Sequence, residues 1–460
     1  MIAWFGEHLA VIMFVVLTFI MFNGYPVAFM LGWVGIVFGF LGVLFGTFNM
    51  VQFANLLPRI YGQAVENQVL VAVPMFIFMG TVLEKSGVAE ELLRCLQVIF
   101  RRIPGGLAIA VTLLGTIMAA TTGIVGASVV MLTLIALPVM LERGYQKELS
   151  VGSIASAGTL GILIPPSIML VIMGDLMQIP VGTLFAAAII PGLVMSATYI
   201  VYIAILCYFR PELAPPLGAL EGPQTKAELW SMIIKTFTPP AFLICLVLGS
   251  IFAGWATPTE AAGVGCFGAM LLAIKARRFD MKTIRETIEN SGLTCALVFF
   301  IIFGATLFSY VFRALGGDDV VVEILKKAGL DTGWEILIFV MILVFLMGFF
   351  FDWVEICLIV LPVFSPILAK LTFPGFIEGP KLILLWFAIL LAVNMQSAFL
   401  TPPFGFALFY MKGTVPPSVT MAHIYKGIIP FVFLQLIALA ICMYWPDLVL
   451  YLPRRWGFID

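Results

Sequence analysis

The chain has 460 residues and a formal net charge of −1, with 62% hydrophobic and 11% charged residues. Soluble proteins carry about 25% charged residues, and the mean hydropathy of +1.14 agrees that this chain belongs in lipid. Soluble, disordered, collagen-like and disulfide-scaffold classes are excluded, and near-neutral charge leaves no basic footprint for nucleic acid.

A spanning helix needs about 20 apolar residues. Such runs are predicted near 8–23, 26–46, 68–84, 150–177, 182–209, 236–253, 258–275, 291–312, 382–412 and 424–445. The first has no Lys or Arg before it and no small-residue cleavage site, so it reads as a span and not a removed signal. Two longer stretches, 106–142 and 333–369, break in the middle, at Thr122-Gly123-Ile124-Val125-Gly126 and at Gly348-Phe349-Phe350-Phe351-Asp352. Amphipathic pieces are expected near 50–62, 88–102 and 278–290. Residues 210–235 form the longest charged loop and the one plausible linker.

Loop charge sets an orientation. Lys275, Arg277, Arg278, Lys282 and Arg285 face one acid, Asp280, and Arg94, Arg101 and Arg102 face none. Both clusters are therefore expected in the cytoplasm. The loop 316–332, with Asp318, Asp319, Glu323 and Asp331 against Lys326 and Lys327, reads as outside. Counting crossings then places both termini outside.

The same count exposes a repeat. In each half a broken stretch is followed by a helix interrupted at a Pro-Pro pair and then by another helix. The pairs are Pro165-Pro166 and Pro402-Pro403. One broken stretch opens from the inner side and the other from the outer side. The reading is an all-α polytopic membrane protein of two inverted-topology repeats, 1–209 and 236–460, joined by a cytoplasmic linker at 210–235. Each repeat carries a re-entrant helical hairpin (106–142, 333–369) and an interrupted helix (150–177, 382–412). Matched broken helices point to a transport site near the midplane.

The chemistry follows from the breaks. Proline has no N–H and clashes with the preceding turn, so a pair unwinds a helix. Backbone groups freed in lipid need partners; a cation satisfies carbonyls, and a half-helix N-terminus offers N–H groups to an anion. Thr159, Ser167, Ser397 and Thr401 put hydroxyls beside the breaks, and Gly405 keeps the backbone approachable. The structural alternative is two proline kinks satisfied by neighbouring helices. At the hairpin tips, Gly123, Gly126 and Gly348 permit tight turns and Ser128 lies alongside; two full spans joined by short turns remain the alternative.

Asp352 and Glu355 are the clearest acids inside an apolar run, with Asp175 nearer an end. Such groups usually face a cavity or a partner. Asp352 either helps bind a cation or accepts hydrogen bonds from its own hairpin, and Asn394 and Gln396 either line the site or join helices. Thr257-Pro258-Thr259-Glu260 reads as a capping box that opens a helix. Seven scattered cysteines without a CxxC, and only His8 and His423, argue against a zinc or thiol site. No P-loop, HExxH or TVGYG-like filter occurs.

An ordered set of motifs goes further: Val73-Pro74-Met75-Phe76-Ile77-Phe78-Met79-Gly80, Ser86-Gly87-Val88-Ala89, Pro104-Gly105-Gly106-Leu107, Gly158-Thr159-Leu160-Gly161-Ile162-Leu163-Ile164-Pro165-Pro166-Ser167, Leu184-Phe185 with Pro191-Gly192-Leu193, Thr257-Pro258-Thr259-Glu260-Ala261-Ala262, and Thr401-Pro402-Pro403-Phe404-Gly405. Together, nearly end to end, they resemble the large membrane subunit of tripartite ATP-independent periplasmic (TRAP) transporters. The resemblance implies an elevator-type secondary transporter in the bacterial inner membrane. It would couple sodium influx to uptake of an organic acid delivered by a soluble periplasmic binding protein. A small four-helix membrane subunit would complete the permease. Residues 122–128, 158–167, 348–355 and 397–405 match the family's ion- and substrate-binding segments. Many members carry Gly-Ser-Ser at the first hairpin tip; this chain reads Gly123-Ile124-Val125. Ser128 or backbone carbonyls would then replace a serine ligand. The chain looks closer to the branch associated with 2-oxo acids and lactate than to the sialic acid branch.

The expectation is a sodium-coupled symporter subunit that is not an enzyme and carries no cofactor beyond Na⁺ as coupling ion. The alternative is a proton-coupled or binding-protein-independent organic-anion transporter of the same architecture. A structural or receptor protein has no need of two matched breaks, and a membrane-embedded enzyme would need a nucleophile–base set that the sequence lacks.

Overall fold

A computed structural model describes residues 2–21, 24–122, 125–216, 225–402 and 405–459. Gly123 and Pro403 lie outside the described residues, as does 217–224 of the linker. In lipid no water satisfies the backbone, so an apolar chain satisfies itself as helix. Helices are the regular structure of the described residues: α1 Ile2–Met21, α2 Val27–Leu44, α3 Met50–Ala54, α4 Leu56–Ile60, α5 Ala72–Lys85, α6 Val88–Phe100, α7 Gly106–Thr122, α8 Val125–Glu142, α9 Lys147–Thr159, α10 Ile168–Met177, α11 Val181–Phe209, α12 Lys226–Phe252, α13 Pro258–Lys275, α14 Met281–Ala314, α15 Gly317–Lys327, α16 Gly333–Met347, α17 Trp353–Leu368, α18 Pro380–Leu400, α19 Phe406–Lys412, α20 Met421–Tyr444 and α21 Asp447–Arg455.

Seven of these helices are long and apolar enough to cross a membrane, or eight if the bent pair α5–α6 counts as one. The chain is a multi-pass membrane protein. Four of the five shorter apolar helices, in α7, α10, α16 and α17, flank the breaks, and the fifth is His8–Met21 of α1. At 15 and 16 residues, α16 and α17 reach only about 22–24 Å, short of a hydrocarbon core of about 30 Å. In the first pair α7 has 17 residues, about 26 Å, while α8, with 18 residues and about 27 Å, is one of the seven long enough to cross.

Three sequence expectations need correction. The separate pieces 278–290 and 291–312 are one 34-residue helix, α14. Asp280 caps its start, accepting from the Thr283 N–H at 3.0 Å, and no proline follows to break it. The linker 210–235 is shorter than expected, and the span predicted at 236–253 starts earlier: α12 begins at Lys226, because Thr225 and Glu228 form a capping box. The acidic loop 316–332 holds a helix of its own, α15, with Asp318 and Asp319 in its first turn and Lys326 and Lys327 in its last. That arrangement complements the helix dipole.

Burial locates the centre. In its most apolar window α18 is 89% buried, against 17% for α12. Every residue of α9 from Leu149 to Thr159 is buried too. The two interrupted helices thus form the middle of the protein, and α12 lies at the rim. At the bent pair, Gly87 sits at φ +78°, with the Arg278 guanidinium where a Cβ would be. Arg278 pairs with Glu90 at 2.9 Å, and Lys85 with Glu286, tying the elbow to the start of α14.

Candidate functional site

The first interruption falls where the sequence places it. After α9 the chain makes one tight turn, Leu160–Ile162, and resumes as α10 at Ile168. Pro165 and Pro166 occupy the gap, joined by a cis peptide bond. Ser167 closes the break: its hydroxyl donates to the Ile162 carbonyl and accepts from the Leu170 N–H at 3.4 Å. One side chain thereby spans the gap and caps the resumed half-helix. The second interruption is extended at Thr401, with Pro402 following, and α19 resumes after Gly405.

The hydroxyls share one habit. Thr159 donates to the Ser156 carbonyl at 2.9 Å, Ser397 to Asn394 at 2.7 Å and Thr401 to Ser397 at 2.6 Å. A hydroxyl that gives its proton to the previous turn keeps its oxygen lone pairs for another partner. At Gly405 the carbonyls of Phe399 and Thr401 stand 2.8 and 3.0 Å from where a Cβ would be. Only glycine lets the backbone close in this way.

Each hairpin leans on both interrupted helices. α8 packs against α9 and α19; α17 packs against α10 and α18. Glycines mark the contacts. A Cβ at Gly348 would meet the Ala398 Cβ at 2.0 Å, one at Gly126 the Tyr410 ring at 2.7 Å, and one at Gly158 the Val129 side chain at 2.4 Å. Gly348 and Thr401 are therefore linked through α18. Ser128 and Gly161 are buried in the same region.

Asp352 and Glu355 have a local role. Asp352 caps α17, accepting from the Trp353 N–H at 2.8 Å, and the Asp352 N–H donates to Glu355 at 3.0 Å. This capping box repeats those at Thr225/Glu228, Thr257/Glu260 and Thr332/Glu335. Asn394 bridges helices, donating to the Met341 carbonyl of α16 at 2.7 Å.

Some polar contacts escape the sequence reading. Tyr199 receives a hydrogen bond from Gln435 at 2.7 Å, and this buried pair reaches Thr159. Gln435 is the single amide in its apolar run, which is the signal that marks it. Asp175 accepts from Asn67 at 2.7 Å. Arg313 of α14 donates to the Pro362 carbonyl of α17, which lacks its helical donor because Pro366 has no N–H. Among the described residues, no group of three or more His, Cys, Asp or Glu is placed to hold a metal ion.

Residues 11–448 match the family described as "Tripartite ATP-independent periplasmic transporter, DctM component". The chain belongs to this family. Its TRAP relatives include the C4-dicarboxylate large permease protein DctM of Pseudomonas aeruginosa, 30% identical over 85% of this chain and 88% of that one. The Vibrio cholerae protein of the same name is 28% identical over 96% and 97%. The ectoine large permease protein TeaC of Halomonas elongata is 28% identical over 83% and 86%. Among solved structures, the Alcanivorax borkumensis YdaH transporter aligns with a TM-score of 0.63 at 15% identity, covering 90% of this chain and 91% of that one. Neisseria gonorrhoeae MtrF aligns at 0.55 and 14%, covering 87% and 83%. These two likenesses concern the fold. As a TRAP large permease, the chain sets its interrupted helices at the core and its paired short helices against them.

Proposed function

We propose that this TRAP permease performs sodium-coupled uptake of an organic acid anion across the bacterial inner membrane by an elevator mechanism. A periplasmic binding protein delivers the substrate, and a small four-helix membrane subunit completes the permease. The halves 1–209 and 236–460 act as inverted repeats, joined on the cytoplasmic side. Hairpins α7–α8 and α16–α17 move with the interrupted helices, while α2, α5, α13 and α14 form the scaffold. The chain is a transporter and not an enzyme. Its relatives are named for C4-dicarboxylates, ectoine and 2,3-diketo-L-gulonate. The substrate class is accordingly a small organic acid or a close relative of one.

The observation that carries this reading is the pair of matched helix breaks, each contacted by hairpins, with hydroxyls whose protons point to the preceding turn. Such oxygens suit a hard cation, which takes neutral oxygen ligands. In the second half, Ser397, Thr401, the carbonyls beside Gly405 and the tip at Gly348 would hold sodium. In the first half, Gly126, Ser128, Gly158, Thr159 and Gly161 would do so. The N-terminal turns of α10 and α19 would face the substrate carboxylate.

The coupling is sufficient in magnitude. With two Na⁺ per monoanion, one net charge crossing 100 mV supplies about 2.3 kcal/mol. Two tenfold sodium gradients add about 2.8 kcal/mol. Roughly 5 kcal/mol supports accumulation of a few thousand-fold. The test is uptake into proteoliposomes holding both membrane subunits, with the binding protein outside. Uptake should require a sodium gradient; uptake that persists unchanged without Na⁺ and follows a proton gradient would favour the proton-coupled alternative.

A further inference from the structure

Two cavities open side by side where α11 and α20 face the bilayer, and they share Tyr202, Leu206 and Arg210. The first holds about 610 Å³ and runs along α11 from Val194 to Phe209, walled by apolar side chains with Leu434 of α20 opposite. Ala197 and Val201 line its floor. The second holds about 390 Å³ and lies at the end of α11, between the first turns of α9 and α20. Its polar groups are Gln146, Glu148, Arg210 and Lys426.

The helices are held close here. A Cβ on Gly427 would meet the Glu148 carbonyl at 2.2 Å. Glu148 and Lys426 therefore flank one contact. Among the described residues, neither Arg210 nor Lys426 has an ion pair or a side-chain hydrogen bond. Two cations against one carboxylate leave the mouth with a net positive charge.

We propose that this double cavity binds an anionic phospholipid, with the phosphate between Arg210 and Lys426 and an acyl chain along α11. Three features select that occupant. The apolar part ends in a cationic pocket, which is the polarity profile of a lipid. The stretch from 194 to 209 is about 22 Å long, matching one leaflet with its interface, half of roughly 40–45 Å. Under the proposed orientation this end of α11 is cytoplasmic, where basic pockets between helices receive anionic headgroups.

The test is lipid occupancy of the purified chain by native mass spectrometry, titrated with phosphatidylglycerol or phosphatidylcholine. The wild type should hold phosphatidylglycerol at least about fivefold more tightly. Arg210→Gln with Lys426→Gln should reduce it to the phosphatidylcholine level, with the melting temperature unchanged. Should the double variant fail to fold, Lys426→Gln alone should still lower the preference. Ala197→Trp, which fills the apolar part, should weaken both lipids several-fold. Equal binding of the two lipids, or variants that bind as the wild type does, would overturn the proposal. So would a photocrosslinker at position 197 that captures the accompanying membrane subunit in the assembled permease and not lipid. None of these readouts depends on transport, so they stand or fall apart from sodium coupling.

Discussion

Asp352 and Glu355 hold the same positions at the start of α17 as Thr257 and Glu260 at the start of α13. An intramembrane acid is usually a sign of function, yet here the local grammar is that of a helix cap. Substitution separates the two roles. Asp352→Asn keeps an oxygen for the Trp353 N–H and removes the charge. If the charge serves only the cap, sodium dependence should stay unchanged; a several-fold rise in the sodium needed for half-maximal uptake would show cation contact. Asp352→Ala should cost about 1 kcal/mol of stability in either case. Thr401→Val keeps the shape and removes the hydroxyl. With one sodium ligand lost, half-saturation should rise about tenfold, equivalent to about 1.4 kcal/mol. Normal folding with an unaltered sodium response would remove Thr401 from the site. At Gly348 even one methyl collides with Ala398. Gly348→Ala should therefore destabilise the hairpin tip by about 1–3 kcal/mol, read as a lower melting temperature.

At the scale of elements, prolines create needs that distant side chains meet. Pro366 leaves the Pro362 carbonyl without a donor inside α17, and Arg313 of α14 provides one. Arg313 is half-exposed, with Asp318 at 3.7 Å. Its bond is therefore worth about 1 kcal/mol. Arg313→Met should speed hydrogen exchange around 362–366 while leaving α14 protected, and Arg313→Lys should restore part of the protection. Equal exchange in the wild type and Arg313→Met would mean that water satisfies the carbonyl. Under the elevator reading this bond joins scaffold to moving hairpin, so it should differ between transport states. Asn67 to Asp175 is a second contact of this kind.

For the whole molecule, the charge pattern makes a directional claim. Asp319 is exposed on α15, and the Lys282 side chain is 83% exposed at the start of α14. In a background without the seven native cysteines, Asp319→Cys should react with an impermeant thiol reagent from the periplasm. Lys282→Cys should react only after the membrane is opened. The reverse pattern would invert both hairpins, and with them the direction from which each break is reached.

The sequence by itself determined the parts whose causes are local. Apolar run length set most of the spans, and the breaks fall at Pro165-Pro166 and at Pro402, whereas Pro239-Pro240 lie inside the unbroken α12, so a proline pair alone does not decide a break. Thr257 and Glu260 announced a cap that formed as read. Gly348 marks the end of α16, whereas Gly123 at the other expected tip lies outside the described residues. Where the sequence reading failed, the cause was a cap overriding composition: Thr225 and Asp280 start α12 and α14 inside stretches that polarity alone assigns to loop or surface. What only the tertiary structure decided are meetings between remote segments. That Gly348 rests on Ala398, that Tyr410 covers Gly126 and that Gln435 reaches Tyr199 follow from packing of helices tens to hundreds of residues apart. In a bilayer most of the chain is apolar, so hydrophobic pattern cannot choose neighbours. Close contact at small residues and a few buried hydrogen bonds choose them, and those exist only once the helices are together.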